Sequence, residues 1–432
     1  MAQARSADHA ALMARAQQYF PGASNGNAAL SGEHSFVIAG GQGAYVYDPD
    51  GRRWIDYLLG SGPMIVGHAH PEVNAAVREQ LDKGSTFFNL NDKAIELAGE
   101  IIDAVACADQ LRFTSTGSEA TFFALRAARA FRGRDKILKF EGGYHGNHDY
   151  AVMSTEGQAA SDGPYGVRGS AGIPECLEQE VLIAPFNDLE RTTAMIERHH
   201  DDLGAVIIEP FQRALSPLPG FLQGLREATA QYGIPLIFDE VVTGFRFAYG
   251  GAQEYYGVVP DLAALGKIIG GGYPLAAVAG KTEMMAYFSQ PDARGVPIAQ
   301  VGTLNGNPVA AAAGLATLEI LRRPGSYERL HAVGQRLRDQ LQATLREHDV
   351  PGQVLGEGPV FHLLFMDQPV RTYQDTLQGD TGKNRIFHDA LMANGVLKPS
   401  AKGYASLVHS DDDLAATAKV FDAAMAQVAQ SS

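Results

Sequence analysis

Short apolar runs alternate with helical segments from about residue 93 onward, and this alternation limits the possible fold more than any other feature. Helical patterns occur near 93–106, from Glu119, near 188–199 and near 221–231. The strand-like runs between and after them are one near Leu111 and then KILKF, VLIAP, AVIIEP, PLIFDE and AAVAG. Strands separated by helices need crossover connections, so the sequence predicts an α/β fold with a mainly parallel, doubly wound sheet.

Two neighbouring runs of this predicted sheet end in residues that carry chemistry. The run that includes Phe238 ends in Asp239 and Glu240, and the run Leu262 to Leu265 is followed by Gly266 and Lys267. A lysine among apolar and glycine residues is easily desolvated, which favours the neutral, nucleophilic amine that forms a Schiff base. Pyridoxal phosphate needs such a lysine for its aldehyde and an acid for its ring nitrogen. The alternative is a surface lysine and an acidic turn.

The loop TSTGSEA lies between a strand and a helix and is a candidate phosphate site. Thr116, Gly117 and Ser118 would present hydroxyl and backbone N–H groups at the start of a helix, where anions bind. The alternative is simple helix capping, in which Ser118 caps the helix that begins near Glu119.

Two further glycine-rich loops are candidates for the same site. The loop EGGYHGNHD offers Tyr144 and His145, and an exposed aromatic ring there could stack on a flat cofactor; the alternative is a mobile surface loop. The loop VGTLNGNP precedes a long alanine-rich helix that opens at Asn307, and its Thr303 hydroxyl is also suited to phosphate.

Composition excludes several classes of function. The formal net charge of -14 argues against nucleic acid or an anionic membrane as partner, because both select basic surfaces. Two cysteines, Cys107 and Cys176, are too few for a disulfide framework and lack metal-site spacing. His68 and His70 have no third ligand close in sequence, so we expect a structural role for them and no metal site. No apolar run is long enough for a signal peptide or a membrane span, and we expect a cytoplasmic protein.

The chain also divides along its length. We expect residues 1–60 to contribute to a small domain, residues 61–322 to form the large domain with the sheet, and residues 323–432 to form the rest of the small α+β domain. The segment AYVYDPDGRRWIDY predicts a β-hairpin within the first part. In the last part, FHLLFM and YASLVH predict strands, and a final helix opens at three aspartates from Asp411.

Six motifs together resemble one family. TSTGSEA, GGYHGNH, IIEP, FDEVVTGFR, ALGKIIGGGYP and GTLNGNPVAAAA, in this order and spacing, are similar to the class III aminotransferases, which are fold-type I enzymes that use pyridoxal phosphate. The pattern is most similar to the glutamate-1-semialdehyde aminomutases and their aminotransferase relatives. The resemblance covers the chain from about Pro21 to its end.

The resemblance implies a role for each matching residue. Lys267 would form the Schiff base, Asp239 would pair with the pyridine nitrogen, and Val241 and Tyr144 would cover the two ring faces. Lys267, Asp239 and Tyr144 are then the catalytic residues. The implied cofactor-binding residues are Thr116, Gly117, Ser118, Tyr144, His145, Glu209, Asp239, Val241, Lys267 and Thr303. The family's homodimer is also implied, with Thr303 reaching the cofactor of the partner subunit.

The departures from the aminomutase pattern cluster where substrate is expected. Ala29 stands where the aminomutases have an arginine for the substrate carboxylate, and Ser61 replaces a tryptophan. Ala214, beside Arg213, replaces an asparagine, and an acidic loop is replaced by SAKGY, which contains Lys402. Ser61, Arg213 and Lys402 are therefore candidate substrate residues, with solvated loop cations as the alternative for the last two.

Three functions are compatible with the sequence. An aminotransferase would move an amino group between an amine or amino acid and an oxo compound through pyridoxamine phosphate, with Lys267 moving the proton. An aminomutase would run the same half-reactions and retain the intermediate. A binding or regulatory protein that keeps only the fold is disfavoured, because it would need neither Lys267 nor Asp239. The departures favour the aminotransferase, and small-molecule amino donors and oxo acceptors are the expected partners.

Overall fold

The structure of the protein is a computed structural model, which describes residues 6–27, 35–156 and 164–431. The chain forms two units, and each is built from separate parts of the chain. The small unit consists of Met1–His70, Arg329–Asp367 and Gly379–Ser432, and the large unit of Pro71–Glu328 and Gln368–Gln378. The sequence suggested changes of domain after residues 60 and 322 and did not predict that Gln368–Gln378 belongs with the large unit.

The strands lie in three sheets. In chain order they are β1 (Gly40–Gln42), β2 (Tyr45–Tyr47), β3 (Arg53–Asp56), β4 (Gln110–Thr114), β5 (Lys136–Phe140), β6 (Val181–Ala184), β7 (Leu203–Ile208), β8 (Leu236–Glu240), β9 (Leu262–Leu265), β10 (Ala276–Gly280), β11 (Gln353–Leu355), β12 (Val360–Leu364), β13 (Val396–Leu397) and β14 (Gly403–Tyr404).

The helices include those predicted near 93–106, from Glu119, near 188–199, near 221–231, from Asn307 and from Asp411. They are α1 (Ala7–Tyr19), α2 (Pro71–Leu81), α3 (Asp92–Ala104), α4 (Gly117–Arg132), α5 (Leu189–His199), α6 (Phe221–Gln231), α7 (Gly251–Tyr256), α8 (Thr282–Met285), α9 (Pro308–Leu321), α10 (Ser326–Glu347), α11 (Tyr373–Thr376), α12 (Thr381–Ala393) and α13 (Asp411–Gln430). Among the described helices, none combines the length and the hydropathy that crossing a bilayer requires.

The large unit is organised by a seven-stranded sheet in the order β4-β10-β9-β8-β7-β5-β6. The five strands from β9 to β6 in this order run parallel to one another, whereas β10 runs antiparallel to both β4 and β9. Every residue of β7, β8 and β9 is buried, as expected for central strands covered on both faces. The predicted mainly parallel α/β fold is therefore confirmed, and the direction of β10 is the feature that periodicity did not reveal.

The small unit has two sheets, β1-β2-β3-β13 and β11-β12-β14. The predicted hairpin is formed by β2 and β3, and the distant β13 pairs parallel to β3. One apolar core joins α10, α12 and α13 to these strands through side chains such as Leu337, Phe387 and Phe421. Of the predicted strand YASLVH only Tyr404 is paired, in β14, because the following residues form turns and the Ser410 cap of α13.

Candidate active site

The predicted lysine and acid lie at the ends of adjacent parallel strands. Asp239 of β8 is opposite Ala264 of β9, and Lys267 follows β9 after Gly266. Lys267 is half-buried and has a φ of 50°, a left-handed conformation that is uncommon for a residue with a side chain. Such conformations persist where the surrounding structure imposes them, and they cluster at functional sites.

Asp239 is buried and accepts two hydrogen bonds. Its Oδ2 accepts from Nδ1 of His145 at 2.8 Å, and its Oδ1 accepts from the backbone N–H of Val241 at 3.1 Å. Burial, together with the charge of Lys139, lowers the pKa of His145 to about 3. The imidazole is therefore neutral near pH 7, and its one proton lies on Nδ1, since a carboxylate only accepts. The neutral ring therefore adds no positive charge beside Asp239.

The start of α4 lies beside this pair, with Val241 between them. A Cβ added to Gly117 would approach Cγ1 of Val241 to 2.9 Å, and one added to Gly266 would approach the same atom to 3.3 Å. Val241 thus contacts both the helix start and the residue before Lys267. The first N–H groups of a helix, here those of Gly117 and Ser118, have no carbonyl partner within it. They form a suitable anion site.

The hydroxyl groups of this loop have different roles from those considered in the sequence. Thr116, and not Ser118, caps α4: its Oγ1 accepts from the N–H of Glu119, whose carboxylate accepts from the N–H of Thr116. Ser118 Oγ accepts from the N–H of Asn147 at 3.1 Å. A Cβ on Gly146 would lie 2.5 Å from this oxygen, so the loop can approach the helix only with glycine there.

Tyr144 is anchored through its backbone while its ring stays partly exposed. Its N–H donates to Oε2 of the buried Glu209 at 3.1 Å, and its hydroxyl donates to Oδ1 of Asn147 at 3.0 Å. The guanidinium of Arg213 lies 5.9 Å from the centre of the ring. Glu209, predicted as a cofactor-binding residue, therefore holds the loop that carries Tyr144.

The candidate substrate residues are less concentrated. Arg213 uses Nε and Nη2 to bind the carbonyls of Gly142 and Thr155, at 2.8 and 3.1 Å, so much of its guanidinium is already engaged. Ser61 is exposed in a turn of the small unit, and Lys402 lies in the loop before β14 of that unit. Ala29 lies outside the described residues.

Thr303 is exposed on a turn of the large unit and makes no hydrogen bond to the described residues around Lys267. The turn is fixed to the segment before α3, because Asn91 Nδ2 donates to the carbonyl of Gly306 and Asn307 Nδ2 to that of Ser85. Within the chain, the structure thus brings together Lys267, Asp239, Val241, Gly117 and Ser118 with the loop of His145, but not Thr303.

His68, one of the two histidines considered as metal ligands, has another partner. His68 Nε2 lies 2.7 Å from Oδ2 of Asp56, within the small unit. A second group, His9 with Asp48 and Asp50, has the spacing of a metal site. However, Nε2 of His9 accepts from the N–H of Val37 and Nδ1 faces Asp50 at 2.9 Å. Both ring nitrogens are thus engaged, and the group ties α1 to the β2–β3 turn.

The residues present fit the cofactor that the sequence predicts. Gly117 and Ser118 give donors for a phosphate, buried Asp239 gives an acceptor for a protonated ring nitrogen, and Lys267 gives the amine. A Cβ at Gly117 would come within 2.9 Å of Val241, so glycine is needed at this helix start. Donor, acceptor and amine therefore converge on one edge of the sheet.

Lys139 is a residue that the sequence analysis missed. It lies in β5 with its side chain fully buried, and its Nζ donates to backbone carbonyls of the loop that carries Tyr144 and His145. The available signal was a lysine at an interior position of the apolar run KILKF.

Comparison with known proteins gives a consistent result. The sequence pattern described as "Aminotransferase class-III" matches residues 28–425. A glutamate-1-semialdehyde 2,1-aminomutase from Syntrophomonas wolfei is 40% identical over 425 residues, which cover 96% of this chain and 97% of the relative. The structure is similar to an omega-transaminase from Sphaerobacter thermophilus, with a TM-score of 0.91, 38% identity and 97% of each chain covered. It is also similar to a transaminase with PLP bound, with a TM-score of 0.89, 31% identity and 98% of each chain covered.

Proposed function

The chain belongs to the class III aminotransferase family, and on that premise we propose that it is a pyridoxal-phosphate-dependent aminotransferase that moves an amino group between an amine or amino acid and an oxo compound. The observation that carries the proposal is the placement of Lys267 and the Asp239–His145 pair at the ends of adjacent strands. An enzyme that uses this cofactor needs such an amine and such an acid close together.

Each residue of the site has a part in this chemistry. When bound, pyridoxal phosphate supplies an electron sink for the carbanion formed at the substrate carbon. Gly117 and Ser118 would bind its phosphate through backbone N–H groups, and Asp239 would hold a proton on its ring nitrogen. Lys267 would hold the cofactor through Nζ, and its free amine would move the proton at the substrate carbon.

His145 and Val241 support these parts. The neutral His145 donates to Asp239 without cancelling its charge, so the carboxylate keeps its attraction for a protonated ring nitrogen. Val241 packs against Ala120, Ala264 and Ala276, and this cluster would support one face of the ring. Tyr144, half-exposed on its loop, covers the opposite face.

A second candidate function is isomerisation by an aminomutase, which the 40% identity to a glutamate-1-semialdehyde 2,1-aminomutase favours. That reaction needs a fixed cation for the substrate carboxylate and a close wall that retains the intermediate. Ala29 and Ser61 supply neither, and the guanidinium of Arg213 already binds Gly142 and Thr155. A bidentate arginine contact is geometrically demanding and is not replaced by alanine. We therefore favour transfer to a free oxo acid.

We also propose a homodimer. Large apolar side chains are exposed on the two linked segments of the large unit around Asn91 and Thr303: Phe87, Phe88, Leu90, Ile95, Val301 and Leu304. Contiguous exposed apolar surface is typical of an interaction site, and closed symmetric dimers are the commonest assembly. We refer to these six residues as the apolar patch. A second copy on this surface would bury it, and the family resemblance implies that Thr303 of the partner subunit would then reach the phosphate.

The function is tested with the purified protein and pyridoxal phosphate. Amine donors should remove the visible absorbance of the bound cofactor, and a keto acid should restore it. Lys267→Ala should abolish both changes, whereas Lys281→Ala, a surface lysine near Asp109, should behave as wild type. Efficient conversion of glutamate-1-semialdehyde to 5-aminolevulinate without an added acceptor would instead establish the aminomutase.

A further inference from the structure

The segment Gly142–Thr155, which follows β5 and carries Tyr144 and His145, is here called the cofactor loop. Its two ends lie together, because the N–H of Gly142 donates to the carbonyl of Ser154 at 2.9 Å. Two residues of the candidate site, Tyr144 and His145, thus depend on how firmly these ends are held.

Lys139 forms hydrogen bonds with both ends of the cofactor loop. Its Nζ donates to the carbonyls of Gly143 at 2.9 Å, Ala151 at 2.6 Å and Met153 at 2.7 Å, and it lies 3.2 Å from Oγ1 of Thr155. An ammonium group has three donors, and all three can be satisfied by these carbonyls. One side chain therefore connects the beginning of the loop to its end.

The setting of this lysine is unusual for a structural residue. Its side chain is fully buried, and no described carboxylate lies within ion-pair distance of its Nζ. Burial lowers the pKa of Lys139 to about 7, against an opposing effect of Glu209. Burying a cation without an ionic partner is unfavourable, so the hydrogen bonds to the loop must offset it. An apolar residue would fit this interior strand position at a lower energetic cost.

Contacts on the outer side of the loop fix the same two ends. Arg213 binds the carbonyls of Gly142 and Thr155, and Tyr373 packs its ring on Gly142 and donates its hydroxyl to the carbonyl of Thr155 at 3.3 Å. The loop ends are thus held from both sides, and Lys139 is the member that also reaches Ala151 and Met153.

We propose that Lys139 is a positioning residue, which orients Tyr144 and His145 toward the cofactor by clamping the ends of the cofactor loop. That the loop faces the cofactor rests on the proposed function. That Lys139 clamps the loop rests on the hydrogen bonds alone. Lys139 touches neither substrate nor cofactor in this role.

The test compares three variants of the full chain at pH 6.5. Lys139→Met removes the donors and keeps an unbranched stem, and Lys139→Gln keeps two N–H donors without the charge. The matched control is Lys136→Met, because Lys136 lies on the same strand but pairs with Asp202 at the surface, at 3.3 Å. Hydrogen exchange of residues 141–155 is measured without cofactor. The affinity for pyridoxal phosphate and the circular dichroism of its visible band are measured with it.

In Lys139→Met, the backbone amides of the cofactor loop should exchange about 10-fold faster or more, while those of β7 and β8 stay protected. One segment can open without the rest, and hydrogen exchange detects each segment separately. Cofactor affinity should fall by about the same factor, and the dichroism per bound cofactor should change, because Tyr144 and His145 set the asymmetry of the site. Lys136→Met should match wild type in all three measurements.

The proposal would be overturned if hydrogen exchange in the cofactor loop were unchanged in Lys139→Met. It would also be overturned if the loop and the central strands exchanged faster to the same extent, because that would indicate a general packing role. If Lys139→Met does not fold, Lys139→Gln decides by the same measurement, with a smaller but local increase expected. Failure of the wild type to bind pyridoxal phosphate would count against the proposed function alone, because the exchange measurement needs no cofactor.

Discussion

Nδ1 of His145 donates a hydrogen bond of 2.8 Å to Oδ2 of Asp239, and both side chains are buried. Because burial lowers the pKa of His145 to about 3, this contact is a hydrogen bond to a neutral ring and not an ion pair near pH 7. His145 therefore adds no positive charge beside Asp239, and His145 and the N–H of Val241 both help to orient the carboxylate.

Replacing the carboxylate should separate binding from turnover. In Asp239→Asn the charge that holds a proton on the ring nitrogen is lost, while the phosphate and lysine contacts remain. We expect bound cofactor by visible absorbance but a kcat lower by at least about 100-fold, as for loss of a strong charge interaction in a buried site. The control is Asp202→Asn, which removes a surface charge. Near-normal turnover by Asp239→Asn would contradict the assigned role.

A single methyl group beside Val241 should weaken cofactor binding. The Cβ of Gly117→Ala would lie 2.9 and 3.0 Å from the two γ-carbons of Val241, a stiff β-branched side chain between the helix start and Gly266. Overpacking of this kind costs about 1–3 kcal/mol of stability. We expect weaker affinity for pyridoxal phosphate by titration and a lower melting temperature. Gly40→Ala, whose Cβ meets nothing within 4 Å, is the control. Unchanged affinity in Gly117→Ala would argue against a close fit there.

The sequence predicted the parts of the fold that depend on local patterns. The runs ending in Asp239 and Lys267 became neighbouring parallel strands, because continuous apolar strands can be buried on both faces only within such a sheet. The pairing of β13 with β3 and the assignment of Gln368–Gln378 to the large unit join residues far apart in sequence, and no local pattern encodes them.

The candidate site was predictable where a residue type itself implies chemistry, and less so where contacts decide its role. Thr116 and Ser118 are both good helix caps, and only the backbone geometry assigns the cap to Thr116. Glu209 binds a backbone N–H that no sequence motif identifies. In the sequence, Lys139 is one residue of a predicted strand. Only the fold shows that the cofactor loop places three carbonyls within hydrogen-bond distance of its Nζ.

Acid should destabilise the small unit through His409. Nδ1 of this buried ring accepts a hydrogen bond from the N–H of Ser406, and Nε2 lies 3.2 Å from the carbonyl of Asp56. A second proton would have to bind Nδ1, where it would face the N–H of Ser406. Burial lowers the pKa of His409 to about 4. A histidine in the unfolded chain binds a proton below about pH 6.5. Between about pH 4 and pH 6.5 the unfolded state therefore binds more protons than the folded state, and the free energy of unfolding decreases as pH falls.

The corresponding measurement uses His409→Gln, whose amide can both accept and donate. Because one pKa unit corresponds to about 1.4 kcal/mol, wild type should lose about 2 kcal/mol more than the variant between pH 6.5 and pH 5. The difference between the two proteins should not change between pH 7.5 and 8.5. Denaturant unfolding at each pH checks this, and parallel losses in both proteins at acid pH would exclude His409 as the source.

The last prediction concerns the apolar patch. Leu90 and Val301 are each 84% exposed, on the two segments that Asn91 and Asn307 link. A carboxylate there would have to be buried against a second copy without an ionic partner, which is strongly unfavourable. Leu90→Asp and Val301→Asp should therefore convert a dimer to a monomer in size-exclusion chromatography with light scattering. Leu218→Asp, at an exposed leucine outside the patch, should leave the dimer intact.

The same variants test whether Thr303 acts across the interface. If its hydroxyl binds the phosphate of the partner subunit, a monomeric variant loses that contact and should bind pyridoxal phosphate about 10-fold more weakly, which corresponds to one hydrogen bond to a charged group. Thr303→Val should weaken binding by a similar factor while remaining a dimer, so the two effects can be separated. A monomeric Leu90→Asp with wild-type cofactor affinity would show that each subunit completes its own phosphate site, and Thr303 would then be only part of the turn that opens α9.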